Sequence, residues 1–154
     1  MAEKNEHLET FKVIAEGKGW PTKVKVAETA WAIQIDEPIE DGGSNSGPNP
    51  MQYFTASLVG CQNEQAQVVA EELGLSISKI DITAEVDLDL SGFMGVSNNS
   101  DGSYKQVRLN AIVSGNISKS EVEELGNIVD KRCPILGLLR SSECDIISSW
   151  RVSQ

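Results

Sequence analysis

The sequence predicts an α+β protein, in which three short strands precede a long helix that is followed by two strands, two helices and a last strand. Two patterns support this βββ-α-ββ-αα-β order. Short segments alternate apolar and polar residues, as strands do, and one long segment repeats its apolar residues at spacings of three and four, as a helix does. The length of 154 residues suits a single domain over residues 1–154, with a second subunit as a way to complete its core. We expect the sheet to be antiparallel.

Three strands are predicted at the start of the chain, at residues 9–17, 22–29 and 30–38. The second strand shows the period-2 pattern most clearly, since Val24 and Val26 alternate with lysines. A Gly-Trp-Pro segment marks the first turn, and the second turn must be tight. These segments predict a small, half-buried meander.

The long helix is predicted at residues 51–73, after a surface loop at residues 37–50 that is rich in Gly, Ser, Asn and Pro. Asn49 suits the N-cap, Pro50 the first helical position and Gly74 the end of the helix. At 1.5 Å per residue such a helix is about 35 Å long, so we expect it to be central. The residues at helical spacing, which predict its buried face, are Met51, Phe54, Leu58, Cys61, Gln65, Val68, Val69 and either Glu72 or Leu73.

The second half of the chain predicts the remaining strands and helices. Ser118, followed by Glu121 three residues later, forms a capping-box pattern that starts the first of the two helices. The second, short helix begins at the segment "CPILGLLRSS". The two strands, the first helix and the last strand are predicted at residues 78–92, 105–115, 118–131 and 144–152, with a turn-rich loop at residues 93–104 between the two strands.

Composition and charge exclude several classes of function. The formal net charge is -10, from 13 basic and 23 acidic residues, so nucleic acids and anionic membrane surfaces would be repelled. No apolar run is long enough for a transmembrane helix, and the first residues show no secretory signal, so we expect a cytoplasmic protein. The single histidine, His7, and cysteines without CxxC spacing favour neither a metal nor a cofactor.

Three cysteines in a reducing compartment are either inert core residues or useful thiols. Cys61 lies where the apolar face of the long helix meets the polar run "QNEQ", so it is either a buried core residue or a thiol at the edge of a cavity or subunit interface. Cys133, in "KRCPIL", is either an N-cap whose pKa the helix dipole and two upstream cations lower, or a small residue at a helix corner. Cys144 lies between two acids that disfavour a thiolate, so we expect no role for it.

Two segments of the chain are similar to segments of a known family. The first is "GPNPMQYFTASLVGCQNE", and the second, "KRCPIL", has its cysteine 72 positions after the cysteine of the first. In these segments the chain resembles the OsmC/Ohr family of osmotically inducible and organic hydroperoxide resistance proteins. The resemblance implies an intertwined homodimer, with the two long helices packed together inside wrapped sheets. It also implies a thiol peroxidase: the cysteine matching Cys61 is oxidised by an organic hydroperoxide to a sulfenic acid. The one matching Cys133 then condenses with it to a disulfide, which a dithiol such as dihydrolipoamide reduces.

The chain departs from the active members of that family at two positions. They carry a glutamate directly after "NP", where this chain has Met51 followed by Gln52. They also carry an arginine in the N-terminal strands, whereas the first arginine here is Arg108. Lys23 or Lys25 is the nearest substitute. Lysine carries a point charge, whereas the guanidinium group of an arginine can donate two hydrogen bonds to one carboxylate. In this respect the chain is similar to the OsmC-like branch, which often has "NPM" here.

The resemblance therefore assigns Cys61 and Cys133 as catalytic residues and Met51, Gln52 and Lys23 as binding residues. A cysteine in the middle of an apolar helix face has a raised pKa unless a cation offsets its desolvation, so Cys133 is an alternative as the thiol that ionises. The function expected is slow, thiol-dependent reduction of hydroperoxides by a homodimer. The alternatives are a non-catalytic dimer that binds a small apolar or thiol-containing ligand, and a structural dimer with inert cysteines.

Overall fold

The computed structural model describes residues 7–97 and 102–153. Residues 98–101, in the predicted loop at 93–104, lie outside the described residues. Within the described part, the strands and α helices follow the predicted βββ-α-ββ-αα-β order, which is confirmed. The chain divides into two compact units, Met1–Tyr53 and Phe54–Gln154. That residues 1–154 form a single domain stays a prediction.

The first unit contains a three-stranded antiparallel sheet in the order β1-β2-β3. Its strands are β1 (Val13–Glu16), β2 (Thr22–Val26) and β3 (Ala32–Ile35). All three are shorter than predicted, and β1 and β3 each pair with β2 over four residues. Val24 at the centre of the sheet is buried, whereas most other side chains of these strands are exposed or half-buried.

A buried carboxylate organises the loop that follows β3. Asp36 is fully buried, and its side chain accepts hydrogen bonds from the backbone N–H and hydroxyl groups of both Ser44 and Ser46. The hydroxyl of Ser44 and the backbone N–H of Ser46 together hold the pKa of Asp36 well below its usual range. Gly43 is required in this loop, because a Cβ there would collide with the backbone of Glu37.

The long helix α1 (Pro50–Glu72) begins where the sequence predicts. Asn49 caps it reciprocally: the Asn49 side chain accepts from the backbone N–H of Gln52, and the Gln52 side chain accepts from the backbone N–H of Asn49, both at 2.9 Å. The predicted buried face is wrong in part, since Val68 is 47% exposed. The buried residues of α1 are Leu58, Gln62, Ala66, Val69 and Ala70. Two alanines and one glutamine, which were not part of the predicted face, therefore belong to the buried face.

The second unit contains a sheet of three strands in the order β4-β5-β6. Helices α2 (Lys119–Arg132) and α3 (Pro134–Ser141) lie between β5 and β6 in the chain. The strands are β4 (Ser76–Leu88), β5 (Tyr104–Asn116) and β6 (Asp145–Val152). The expected antiparallel sheet is correct for β4 and β5 and wrong for β6, which is parallel to β5. The two helices form a crossover connection between β5 and β6, and such a connection permits parallel pairing.

Alternate residues of β5 form the floor of the core of this unit, where Val107, Leu109, Ala111 and Val113 are buried. One cluster on this floor joins Leu58 of α1 to α3 and contains Cys133 and Cys144, and a second joins the later part of α1 to α2. The predicted capping box of α2 is confirmed. The core therefore holds two of the three cysteines among aliphatic side chains.

Candidate functional site

Two of the predicted site residues, Cys61 and Cys133, lie side by side in the second unit. Their sulfur atoms are 2.9 Å apart although 72 residues separate them in the chain. Both are free thiols; Cys61 is half-buried and Cys133 is 1% exposed. Since a disulfide bond is about 2.05 Å long, the two sulfurs need to approach by only about 0.9 Å to bond.

The junction between α2 and α3 fixes the position of Cys133. Its backbone N–H donates to the carbonyl of Val129 at 3.0 Å, which ends α2. Its sulfur accepts from the backbone N–H of Leu136 at 3.4 Å, so the predicted N-cap of α3 is confirmed. Pro134 occupies the first position of α3, where its missing N–H costs nothing. The chain reversal at "RCPI" therefore directs this thiol toward α1.

The cation next to Cys133 is already paired. Arg132 donates to both carboxylate oxygens of Glu72, at 2.9 and 2.7 Å, and so ties the last turn of α2 to the end of α1. Both side chains are close to half-exposed, which limits what the pair adds to stability. Arg132 is one of the two upstream cations that the sequence offers for lowering the pKa of Cys133, and its guanidinium group is bonded to a carboxylate.

The thiol of Cys61 is held in its neutral form. Burial raises its pKa to about 11, and the hydrogen bond with Cys133 and the charge that Cys133 would carry act in the same direction. A hydrogen bond from the backbone N–H of Ile135 lowers the pKa of Cys61 and opposes these effects, and the charge of Glu64 raises it slightly further. Cys61 therefore has to lose its proton against the cost of burial before it can react as a thiolate.

The surroundings of the pair are apolar and include an aromatic stack. The rings of Phe54 and Tyr104 are 4.8 Å apart at their centroids, and both pack against the cluster that contains Cys133. Burial raises the pKa of Tyr104. No local pattern in the sequence connects Tyr104 with Phe54, because Tyr104 begins β5 and lies 50 positions further along the chain.

The three predicted binding residues belong to the first unit. Met51 is half-buried in the first turn of α1, and Gln52 caps that helix. Lys23 is exposed on β2, opposite Glu16 of β1 and Gln34 of β3. A ligand-binding role for Met51, Gln52 and Lys23 stays a prediction.

Lys25, the other candidate substitute for an arginine, is ion-paired with Glu16 at 2.9 Å within the sheet of the first unit. Both side chains are more than half-exposed. This lysine therefore already has an anionic partner in its own unit.

Two further residues near the pair are informative. Gln62, which follows Cys61, is 1% exposed, and neither its Oε1 nor its Nε2 has a hydrogen-bond partner within the part of the chain that the structure describes. Cys144 is buried in the same cluster as Cys133, and burial followed by the charge of Asp145 raises its pKa. Both observations fit an apolar environment in which ionisation is costly.

Two negative observations apply to residues 7–97 and 102–153. No group of three His, Cys, Asp or Glu side chains in those ranges could hold a metal ion. None of the helices there is long and apolar enough to cross a membrane.

The fold and the paired thiols define an α+β protein with a two-cysteine site at a helix junction. A family model described as "OsmC-like protein" matches residues 43–148, so the chain belongs to the OsmC family. No curated protein matches the chain.

Solved structures agree with this assignment over nearly the whole chain. An organic hydroperoxide resistance protein OsmC from Legionella pneumophila is 25% identical, with 96% of this chain and 98% of that chain covered and a TM-score of 0.72. An OsmC-like protein from Mycoplasma pneumoniae is 17% identical, with 94% and 96% covered and a TM-score of 0.78. OhrB of Bacillus subtilis is 24% identical, with 94% and 98% covered and a TM-score of 0.63.

Proposed function

We propose that this protein is a thiol-dependent reductase of organic hydroperoxides that uses Cys61 and Cys133. The observation that carries the proposal is the 2.9 Å separation of the two sulfur atoms in a chain of the OsmC family. Similarity to an organic hydroperoxide resistance protein from Legionella pneumophila indicates the class of substrate. No metal or organic cofactor is required by this chemistry.

The reaction balances with two thiols, one peroxide and one external dithiol. The thiolate of Cys61 attacks the terminal peroxide oxygen, the O–O bond breaks, and the alcohol leaves with a proton, so that Cys61 becomes a sulfenic acid. The thiolate of Cys133 then displaces water from that sulfenic acid and forms the Cys61–Cys133 disulfide. A dithiol reductant reduces the disulfide and is itself oxidised to a disulfide, which restores both thiols.

We assign the first step to Cys61 on the basis of access. Cys61 is half-buried, whereas Cys133, the N-cap of α3, is 1% exposed and offers almost no surface to an alkyl hydroperoxide. The apolar side chains around the pair, including Phe54 and Tyr104, suit an organic rather than an inorganic peroxide. The activity is expected to be slow at neutral pH because the pKa of Cys61 is raised.

We also propose that the protein acts in the cytoplasm as a homodimer of one domain per subunit. The first unit leaves large apolar side chains exposed, which is typical of a surface that a partner covers: Leu8, Phe11, Val13 and Trp31 are each more than 60% exposed. Light scattering on the purified protein should give twice the 16.7 kDa chain mass. A stable monomer would contradict this part of the proposal.

The activity is tested by oxidising the reduced protein with one equivalent of cumene hydroperoxide and locating the disulfide by mass spectrometry. We expect a Cys61–Cys133 disulfide in the natural protein and in Cys144→Ser. A stable sulfenic acid, trapped by dimedone on Cys61, is expected in Cys133→Ser. The proposal fails if both thiols stay free while an active organic hydroperoxide resistance protein is oxidised in a parallel sample.

A second function is favoured by the raised pKa of Cys61 and by Met51 in place of a carboxylate: non-catalytic binding of a small apolar or thiol-containing ligand. Isothermal titration with cumyl alcohol and with reduced dihydrolipoamide separates the two functions. Binding without any oxidation by peroxide supports the second function, and oxidation with turnover supports the first.

A further inference from the structure

The end of α2 is attached to α1 at two separate points. Cys133, the C-cap of α2, has its sulfur 2.9 Å from that of Cys61. Arg132, the residue before it, donates through Nη1 to both carboxylate oxygens of Glu72, at 2.9 and 2.7 Å. Cys61 and Glu72 lie 11 positions apart on the same helix, which corresponds to about 16 Å. Two neighbouring residues of α2 therefore contact two distant points of α1.

Between these two points, small side chains of α1 face the core. The buried residues of this part of the helix include Ala66 and Ala70, which share a buried cluster with aliphatic residues of α2. Apolar contacts are non-directional, so they oppose separation of two helices more than they oppose a shift of one along the other. The charge-assisted hydrogen bonds of Arg132 are directional, so they fix where the end of α2 lies along α1.

A small shift of this helix end would matter for the thiols. The two sulfur atoms have to approach by about 0.9 Å to reach the length of a disulfide bond. Packed helices that change state commonly shift by about 1–2 Å, which is at least as far as that approach. Arg132 and Glu72 are close to half-exposed, so their pair adds little to overall stability. Its larger consequence is the position of the neighbouring Cys133.

We infer that the Arg132–Glu72 pair is a positioning clamp, which holds the end of α2 on α1 and keeps the sulfur of Cys133 within bonding reach of Cys61. Arg132 acts through Cys133 and contacts no reacting atom. The inference rests on the proposed function for its use, because in that cycle Cys133 must condense with the sulfenic acid of Cys61. It gives Arg132 a geometric role in place of the electrostatic one that its position in "KRCPIL" offers.

Exchange with glutathione tests the clamp without any peroxide. Glutathione disulfide is reduced to two molecules of glutathione, which take up the two thiol protons, while Cys61 and Cys133 are oxidised to their disulfide. The equilibrium constant of this exchange is the effective concentration of one protein thiol at the other. It is measured in a Cys144→Ser background by acid quenching, alkylation and mass spectrometry.

The two single variants should change this equilibrium in the same direction. Glu72→Gln and Arg132→Gln should each lower the effective concentration about three- to fivefold, the upper range for an exposed ion pair. The double variant should fall no further, because the two residues act as a unit. The difference from the natural side chains should shrink as NaCl is raised from about 0.05 M to about 1 M.

An electrostatic role of Arg132 predicts a different result. A stabilised thiolate favours the reduced pair, so removing the cation in Arg132→Gln would raise the effective concentration. Releasing that cation from its carboxylate in Glu72→Gln would lower it. Opposite changes in the two single variants therefore indicate charge, and equal decreases indicate position.

Two controls make the result specific. Glu123→Gln also neutralises an exposed acid, one that pairs with Lys119 of the same helix at 3.5 Å, and it should leave the effective concentration within about 1.5-fold. The melting temperature of each variant is measured in both redox states. A variant that only weakens the fold destabilises the oxidised and reduced forms by the same amount, so it leaves their equilibrium unchanged.

The outcomes separate the clamp from the proposed function. The clamp is wrong if either single variant keeps the natural effective concentration, if the two change in opposite directions, if the double variant falls well below both, or if Glu123→Gln has an equal effect. Peroxide reduction by the natural protein would stand in each of these cases. If the variants behave as expected but the natural protein reduces no peroxide, the clamp stands and the proposed function fails.

Discussion

The two units of this chain are held together by different kinds of interaction. In the first, a buried carboxylate, Asp36, gathers the loop after β3, and Val24 is the buried apolar side chain among its described residues. In the second, aliphatic side chains of a sheet and three helices form two buried clusters. Cys61 and Cys133 lie in the unit whose buried clusters are apolar.

The comparison shows why the thiol of Cys61 is so hard to ionise. The same apolar packing that brings Cys61 beside Cys133 also removes water from the sulfur of Cys61 and so raises its pKa. In the first unit the chemistry is reversed, because an anion is surrounded by N–H and O–H donors and its pKa is lowered. At the start of α3 a single backbone N–H, that of Leu136, donates to the sulfur of Cys133 at 3.4 Å.

The pH dependence of Cys61 gives the largest expected effect. The thiolate is the reactive form, and the pKa of Cys61 is raised to about 11, so the thiolate fraction should rise about tenfold for each unit of pH up to that value. Alkylation of Cys61 should therefore be about 100-fold faster at pH 9 than at pH 7. Peptide mapping after timed iodoacetamide treatment measures this rate, and a plateau near pH 8 would show that the site does ionise the thiol.

Truncation of a core leucine tests the apolar character of the second unit. Leu136→Ala removes a fully buried side chain of α3 and should lower the free energy of unfolding by about 2–5 kcal/mol. Val24→Ala removes less volume from the small sheet of the first unit and should cost less. Urea denaturation of both variants checks the order, and a larger loss for Val24→Ala would contradict the contrast drawn between the units.

Neutralising the buried carboxylate tests the polar character of the first unit. Asp36→Asn keeps the shape but weakens several hydrogen bonds to the 44–46 segment, so we expect a decrease in Tm of roughly 5 °C or more. Because the folded-state pKa is lowered, Asp36 stabilises the fold above the unfolded value of about 3.9 and loses this effect as the pH falls below it. Thermal denaturation from pH 7 to pH 2 should show a smaller pH dependence in the variant.

Gln62 gives the smallest expected effect and one of opposite sign. Its amide is buried without a partner among the described residues, so Gln62→Met should raise the free energy of unfolding by about 1–2 kcal/mol. Gln67→Met, at an exposed position on the same helix, is the matched control and should change stability little. A destabilised Gln62→Met would mean that this amide is paired in solution.

Local patterns predicted the elements, and long-range contacts account for what they missed. The caps of α1 and α2 depend on residues three positions apart, and both were predicted from sequence. The parallel pairing of β6 depends on how α2 and α3 cross the sheet, which no strand pattern reports.

The same distinction between local patterns and long-range contacts applies to the candidate site. The pairing of Cys61 with Cys133 followed from the resemblance, since its 72-residue separation gives no local signal. The burial of Gln62 could not be predicted, because the polar side chain of a glutamine usually lies at the surface.

The 72 residues between the two cysteines link oxidation of this protein to its folding equilibrium. In a chain-entropy model, a disulfide across such a loop restricts the unfolded chain and stabilises the folded protein by about 4 kcal/mol. By thermodynamic linkage, the free energy of disulfide formation must then be more favourable in the folded chain than in the unfolded chain by the same amount. In the proposed cycle, a reductant that restores the two thiols therefore works against the stability of the fold, and the proposed disulfide is easier to reduce whenever the second unit unfolds.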